Sequence, residues 1–259
     1  MRPVSSDPEA PGARALRVPL EGLTPGIREL DAEVARYIQR VHRLRPGARL
    51  RLFDPVLAVE ADAELLESSG VVVRCEITSV QPSGYRGLPI VLLQALAKGD
   101  KPDLSIREAT ALGVARIVFV ESERVVVRLE PERRATRRTR WQRIAVEAAR
   151  QCGRGNLPAI QGPLPLLDVL AQTTEAQRLL LSSEGQPLFT QLSSWRGDQS
   201  LALLIGPEGG LSGSEAQSAA EHGFNAVSLG RTTLRTELAC VAALGAVVAF
   251  GAWRGIGGE

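Results

Sequence analysis

At 259 residues and a formal net charge of +2, the chain has room for one large or two smaller domains, each with a real core. Its three cysteines, Cys75, Cys152 and Cys240, are scattered and form no C-x-x-C, which argues against a disulfide framework or a zinc site and for a reducing cytoplasm. No apolar signal core opens the sequence, and the longest uncharged run, residues 238–253, is glycine-interrupted and about 16 long, short of the roughly 20 that a membrane span needs.

Residues 1–13, rich in Pro, Ser and Gly, are expected to be a flexible tail. Short strands follow at 15–20, 48–53, 58–65 and 71–77. Between the first two lies a helical segment, 31–42, whose Val34, Tyr37, Ile38 and Val41 share a face. Residues 14–82 thus read as a small β-rich domain, in which Leu50 and Leu52 alternate with Arg49 and Arg51. Gln81, Pro82, Ser83 and Gly84 have the composition of a linker.

Beyond it the pattern changes. Residues 89–96 are a continuous apolar strand of the kind buried inside a parallel sheet. A helix at 103–112, a strand at 116–120, a long helix at 131–151, and strands at 157–160 and 178–181 around a helix near 165–173 come next. Strand and helix alternating in this way define an α/β domain with a parallel sheet over residues 85–259.

The long helix opens with Arg133, Arg134, Arg137, Arg138, Arg140 and Arg143, while Trp141, Ile144, Ala145 and Ala148 turn inward. Such a run is either a solvated face or a polyanion-binding one. Like charges repel, and the dipole disfavours cations at a helix start, so an external polyanion is the better account. The basic residues are almost all arginine, the better side chain for forked phosphate contacts; Lys98 and Lys101 are the lysines.

The stretch from 201 to 244 carries the most specific signal. An apolar run, Leu201, Leu203, Leu204 and Ile205, stops at Gly206-Pro207-Glu208-Gly209-Gly210. That is a buried strand ended by a tight turn with bare backbone for a ligand. Ser212 and Glu215 form a capping-box pattern opening a helix over 213–222. A short strand at 226–229, a loop through Gly230, and Arg235-Thr236-Glu237 then lead into a final apolar helix. Two glycine-bearing loops therefore lie at the carboxyl ends of neighbouring parallel strands, where open α/β sheets bind ligands. Neither G-x-x-x-x-G-K-[ST] nor G-x-G-x-x-G is present, so these phosphate cradles are unsupported. Glu208 suits a cationic or zwitterionic ligand better than a polyanion.

Ile205-Gly206-Pro207-Glu208-Gly209-Gly210-Leu211-Ser212, followed by Ser228-Leu229-Gly230 and Leu234-Arg235-Thr236-Glu237, closely resembles the RsmE family. So do Gln94 to Lys101, Ala109-Thr110, Leu112-Gly113-Val114, Ser122-Glu123-Arg124 and the run Arg140 to Arg154. These motifs stand in order and at the right spacing over most of the chain from Pro89 onward. The resemblance implies a knotted SPOUT (trefoil-knot) α/β methyltransferase domain after a PUA-like, RNA-binding β-barrel. It implies an S-adenosyl-L-methionine-dependent homodimer that methylates N3 of a uridine in small-subunit (16S) ribosomal RNA, with no metal. The sequence departs from the family at Asp54-Pro55-Val56, where a glycine-containing turn is usual. Leu181-Ser182-Ser183-Glu184 replaces a His-Pro, and Glu108 and Ala111 stand where Lys and Glu are common.

For chemistry the resemblance singles out Arg235. Uridine N3 must lose a proton, and a fixed guanidinium stabilises the resulting anion; a capping role or a pair with Glu237 is the plainer alternative. The donor is expected on Leu204, Ile205, Gly206, Pro207, Glu208, Gly209 and Gly210, and on Leu229, Gly230, Leu234, Thr236 and Glu237. RNA contacts are expected from Arg17, Lys101, Arg124, Arg134, Arg137, Arg138 and Arg140. The other readings are an RNA-binding or ribosome-assembly factor of this fold without turnover, and an enzyme acting on another RNA.

Overall fold

The computed structural model describes residues 15–69, 72–84, 87–125 and 130–254; the expected tail lies outside them. The chain divides into two compact units, one ending at Arg86 and the other beginning at Gly87.

The first unit is a five-stranded mixed sheet, ordered β1-β3-β4-β5-β2. Its strands are β1 (Leu16–Pro19), β2 (Gly26–Glu29), β3 (Arg49–Asp54), β4 (Val59–Ser69) and β5 (Val72–Pro82). β1 runs parallel to β3, and the other pairs are antiparallel. Helix α1 (Ala32–Arg36), capped by the Asp31 carboxylate on the Glu33 and Val34 amides, continues as a π-helical turn, Tyr37–Val41. That helical segment drops Ile38 into a core with Val18, Leu50, Leu52, Leu65 and Ile77. The alternation in β3 holds: Leu50 and Leu52 are buried, while Arg51 reaches outward to Glu60 and Asp62.

Two expectations are corrected here. β2 adds a strand that the sequence pattern does not announce, because Gly26–Glu29 is short and mostly exposed. Gln81 and Pro82 are strand rather than linker, paired with Glu60 and Val59. Pro82 is tolerated there because β2 pairs only with residues 74–77 of β5, so no partner needs the missing amide. The turn that lacks the usual glycine is built another way. The buried Asp54 carboxylate accepts the amides of Val56 and Leu57, and Ala58 itself adopts a left-handed φ of 52°.

The second unit is a six-stranded, wholly parallel sheet ordered β11-β9-β10-β6-β7-β8. The strands are β6 (Leu88–Ala95), β7 (Val114–Glu121), β8 (Ala159–Pro165), β9 (Gln177–Pro187), β10 (Leu201–Ile205) and β11 (Asn225–Ser228). One face carries α2 (Lys101–Ala111), α3 (Pro131–Cys152), α5 (Leu188–Leu192) and α7 (Thr236–Trp253); the other carries α4 (Leu166–Gln172) and α6 (Gly213–Glu221). Burial on both faces is why β6 and β10 read as unbroken apolar runs. Proline opens α3, and Gly153, left-handed at φ 88°, closes it.

β9 is far longer than the stretch 178–181 expected of it. Leu180 pairs with Ala226 of β11, but the next pair is Gln186 with Val227. The residues between bulge out of the ladder and return at Gly185. A Cβ there would lie 2.4 Å from the Val227 nitrogen, so β11 passes directly over bare backbone.

Candidate active site

Three neighbouring strands, β10, β9 and β11, frame a cavity of about 480 Å³, β10 and β11 with the loops at their carboxyl ends and β9 with its middle. The first wall is the turn after β10. The Gly210 amide donates to the Pro207 carbonyl at 2.8 Å, and Gly210 takes φ 69°. Ser212 then caps α6. Its hydroxyl accepts the Glu215 amide, and the Glu215 carboxylate accepts the Ser212 amide in return. The other oxygen of Glu215 accepts the Glu123 amide at 2.7 Å, tying the segment after β7 to this helix start. Next to it, Arg124 donates to the Gly209 carbonyl at 2.9 Å.

The second wall is the loop between β11 and α7. Leu229, Gly230, Thr232, Thr233 and Leu234 line the cavity, and Thr236 opens the helix beneath them. A third wall was missed from sequence: Ser182, Ser183 and Glu184, the part of β9 that leaves the ladder. Ser-Ser-Glu-Gly has no apolar periodicity, so only the resemblance to a family loop pointed at it.

Among the expected donor contacts, Ile205, Gly206, Pro207, Glu208, Gly209 and Gly210 line the cavity, and so do Leu229, Gly230, Leu234 and Thr236. Leu204 does not; it packs into the core on the α4–α6 face. Glu237 does not either, because its carboxylate points to Lys101 at 3.6 Å. Arg235 stands between two lining residues, exposed, at the N-cap of α7 with no capping bond from its side chain. It makes no pair with Glu237. Among the described residues its guanidinium has neither hydrogen bond nor ion pair.

The cations assigned to RNA divide into two groups. Arg17 is turned inward, 12% exposed, on Glu60 and over the Phe53 ring. Burial pushes the Glu60 carboxyl up, but Arg17 and Arg51 together outweigh it and hold it below the usual carboxylate range. Lys101 bonds Glu208, Arg124 bonds the Gly209 carbonyl, Arg140 pairs with the buried Asp103, and Arg134 reaches Glu121 at 3.4 Å. Arg137 and Arg138 stay unpaired among the described residues. The inward face of α3 is as expected, with Trp141, Ala145 and Ala148 buried.

The charge at the first wall is therefore balanced internally. Its bond to Glu208 raises the Lys101 ammonium above its ordinary value, and that same bond holds Glu208 below its own. Cys240, beside the lining Ala239, is no thiolate nucleophile: burial pushes its thiol up to about 12.

A family model described as an RNA methyltransferase domain matches residues 86–248, which contain every wall of the cavity. The class is thus an RNA methyltransferase. Ribosomal RNA small subunit methyltransferase E of Mycobacterium bovis is 30% identical over 86% of this chain and 87% of its own. The enzyme of that name from Neisseria gonorrhoeae, solved with S-adenosyl methionine, is 30% identical, with TM-score 0.81 over 91% of this chain and 98% of its own. A Legionella pneumophila structure with bound SAM gives 32% identity and TM-score 0.81 over the same shares. The chain belongs to the ribosomal RNA small subunit methyltransferase E family.

Proposed function

We propose that the protein is an S-adenosyl-L-methionine-dependent methyltransferase that methylates N3 of a uridine in 16S ribosomal RNA, in the cytoplasm, as a homodimer. The observation that carries this is the cavity itself, framed by both glycine-bearing loops in a chain of this family. At about 480 Å³ it lies within the roughly 300–1,000 Å³ of small-molecule pockets. Its walls are backbone, short hydroxyl side chains, aliphatic groups and the carboxylates of Glu184 and Glu208. The one cation lining it among the described residues, Arg124, is turned onto a carbonyl. A backbone-rich cradle that carries carboxylates, and whose lining cation is bonded to a carbonyl, suits an adenosine and a sulfonium-bearing amino acid, not a polyphosphate.

The donor, when bound, supplies a methyl group on a sulfonium, already a good leaving group. What remains for this chain is alignment and charge. Backbone groups of the first and second walls would hold the donor's two ends. Arg235, exposed between Leu234 and Thr236, offers its guanidinium to the uracil ring, where negative charge grows as N3 loses its proton. Arg137 and Arg138, without internal partners among the described residues, would hold RNA phosphates.

The remaining assignments follow the same reading. The mixed sheet of the first unit supports a PUA-like barrel for RNA. In the second unit, β11 lies on the far side of β9 from β10, and the chain then returns as α7 against α2, which supports a trefoil knot. Leu238 on α7, with Trp253 and Phe189, exposes apolar surface that a second copy would cover.

The test is to incubate the protein with labelled donor and small subunits from cells lacking the modification, then map the modified base. A label at uridine N3 is expected. A label elsewhere assigns a different RNA target, and binding without transfer assigns an assembly factor.

A further inference from the structure

Lys101 lies outside the cavity, at the first residue of α2. Its ammonium bonds Glu208 Oε1 and sits 3.6 Å from Glu237 Oε2. Glu208 belongs to the turn after β10, and Glu237 to the first turn of α7, just past the second loop. One cation thus joins the two segments that frame the cavity. Those segments have no sequence neighbourhood in common with it: Glu208 is 107 residues away.

A single surface ion pair is worth little, because solvent screens it and ordering two side chains costs entropy. This arrangement differs in one respect. Two carboxylates on separate elements converge on one ammonium, so removing it leaves like charges facing each other across the gap between the loops. Glu237 is only 15% exposed, and one of its oxygens is buried without a hydrogen bond. Losing the lysine would strand that charge, and the start of α7 would have to shift to resolvate it. Lys98 adds attraction at Glu208 but does not bond to it, so Lys101 is the group in contact.

Resting on the reading of the cavity as the donor site, we propose that Lys101 is a positioning residue, holding the Glu208 turn and the start of α7 at the separation that S-adenosylmethionine requires. It touches neither donor nor base. Its effect passes through Gly206–Gly210 on one side and Leu234–Thr236 on the other. Its commitment to two carboxylates also takes it out of the set of phosphate-binding cations, where the resemblance had placed it.

The experiment compares wild type, Lys101→Met, Lys101→Arg, Glu208→Gln, Glu237→Gln and the Lys101→Met/Glu208→Gln double variant. Calorimetry with S-adenosylmethionine measures donor affinity, filter binding with a small-subunit RNA fragment measures RNA affinity, and steady-state kinetics separates KM from kcat. Lys101→Met is expected to weaken donor binding about tenfold, raising KM for the donor while kcat at saturation stays within about twofold. Lys101→Arg should recover most of the loss. The double variant should bind the donor no worse than Lys101→Met, since the repelling carboxylate has gone. If Lys101→Met does not fold, Glu237→Gln, which faces Lys101 from outside the cavity, carries the test and should weaken donor binding with RNA affinity unchanged. Unchanged donor affinity in the folded variants overturns the proposal. So does a fall in RNA affinity alone, which would make Lys101 a phosphate contact. Wild-type protein that binds no S-adenosylmethionine instead overturns the donor-site reading itself.

Discussion

The two glycine-bearing loops of the cavity are held very differently. The turn after β10 is closed by its own backbone bond, capped into α6, bonded by Arg124 and paired with Lys101. In the loop of residues 230–235 no side chain has a hydrogen bond or an ion pair among the described residues. The cations follow the same division. Those beside the first loop are spent inside the protein, and Arg235 beside the second is not. A wall fixed in advance binds a ligand without further ordering, whereas an untied arginine keeps its charge for a group that arrives later.

Arg235→Ala should break this comparison most sharply. Donor and RNA affinity should stay near wild type, while the methyl-transfer step slows by on the order of a hundredfold or more, as when other electrostatic stabilisers are removed. Single-turnover kinetics at saturating donor and RNA reads it directly. A normal rate would make Arg235 a plain N-cap residue and leave the second loop without chemistry.

On the fixed wall, Gly206→Val should weaken donor binding by tenfold or more. A Cβ at 206 already meets the Leu211 nitrogen at 3.4 Å, so the added methyls must enter the cavity or displace Leu211. Gly209→Val should do less, because its Cβ would meet only the flexible Arg124 side chain at 3.7 Å. Equal calorimetric effects for the two would show that the turn is not held as described.

How much of this is legible in the sequence depends on how local each signal is. The unbroken apolar runs of β6 and β10 and the Ser212–Glu215 box are encoded within a few residues, and each appears where expected. The two glycine-bearing loop walls could be placed from short motifs. The wall made by Ser182, Ser183 and Glu184 could not, since its shape depends on β11 crossing Gly185 some forty residues later. Nor could the pairing of Arg17 with Glu60 or of Lys101 with Glu208. Arginines and lysines look alike in a sequence whether their partners are internal or external; only the fold tells them apart.

The arginines of α3 extend the comparison. Replacing Arg137 and Arg138 together with Ala should weaken RNA binding across sequences and reduce the log–log salt slope by roughly one unit for each phosphate no longer neutralised. Arg140→Ala should change that slope less, because Asp103 already neutralises it. If all three behave alike in a salt titration, internal pairing does not decide which cations meet RNA.

The smallest effect expected is that of pH. Glu208 is held below its ordinary 4.5 and Lys101 above its ordinary 10.5. The depressed acid contributes above 4.5 and loses that contribution as pH falls through its lowered value. The raised base contributes below 10.5 and loses it as pH rises through its raised value. Donor affinity should therefore be flat between 4.5 and 10.5 and decline beyond either limit, as Glu208 protonates on the acid side and Lys101 deprotonates on the alkaline side, measured by calorimetry across and past that range. A step near neutrality would point to another titrating group at the cavity.

The wholly parallel sheet also sets an order of assembly. β10 is flanked by β9 and by β6, and its register with β6 joins Leu201 to Ile90, roughly 110 residues upstream. Loop closure over such distances is slow, and parallel pairing rewards it late. During synthesis β6, β7 and β8 are complete long before β11 and the loop carrying Arg235, which follow one another closely near the end of the chain. The cavity, whose three walls all follow β8 in the chain, is therefore among the last parts of the molecule to mature. A truncated or stalled chain ending before α7 has all six strands but leaves bare the apolar sheet face on which α7 packs, and exposed apolar surface of that kind invites aggregation.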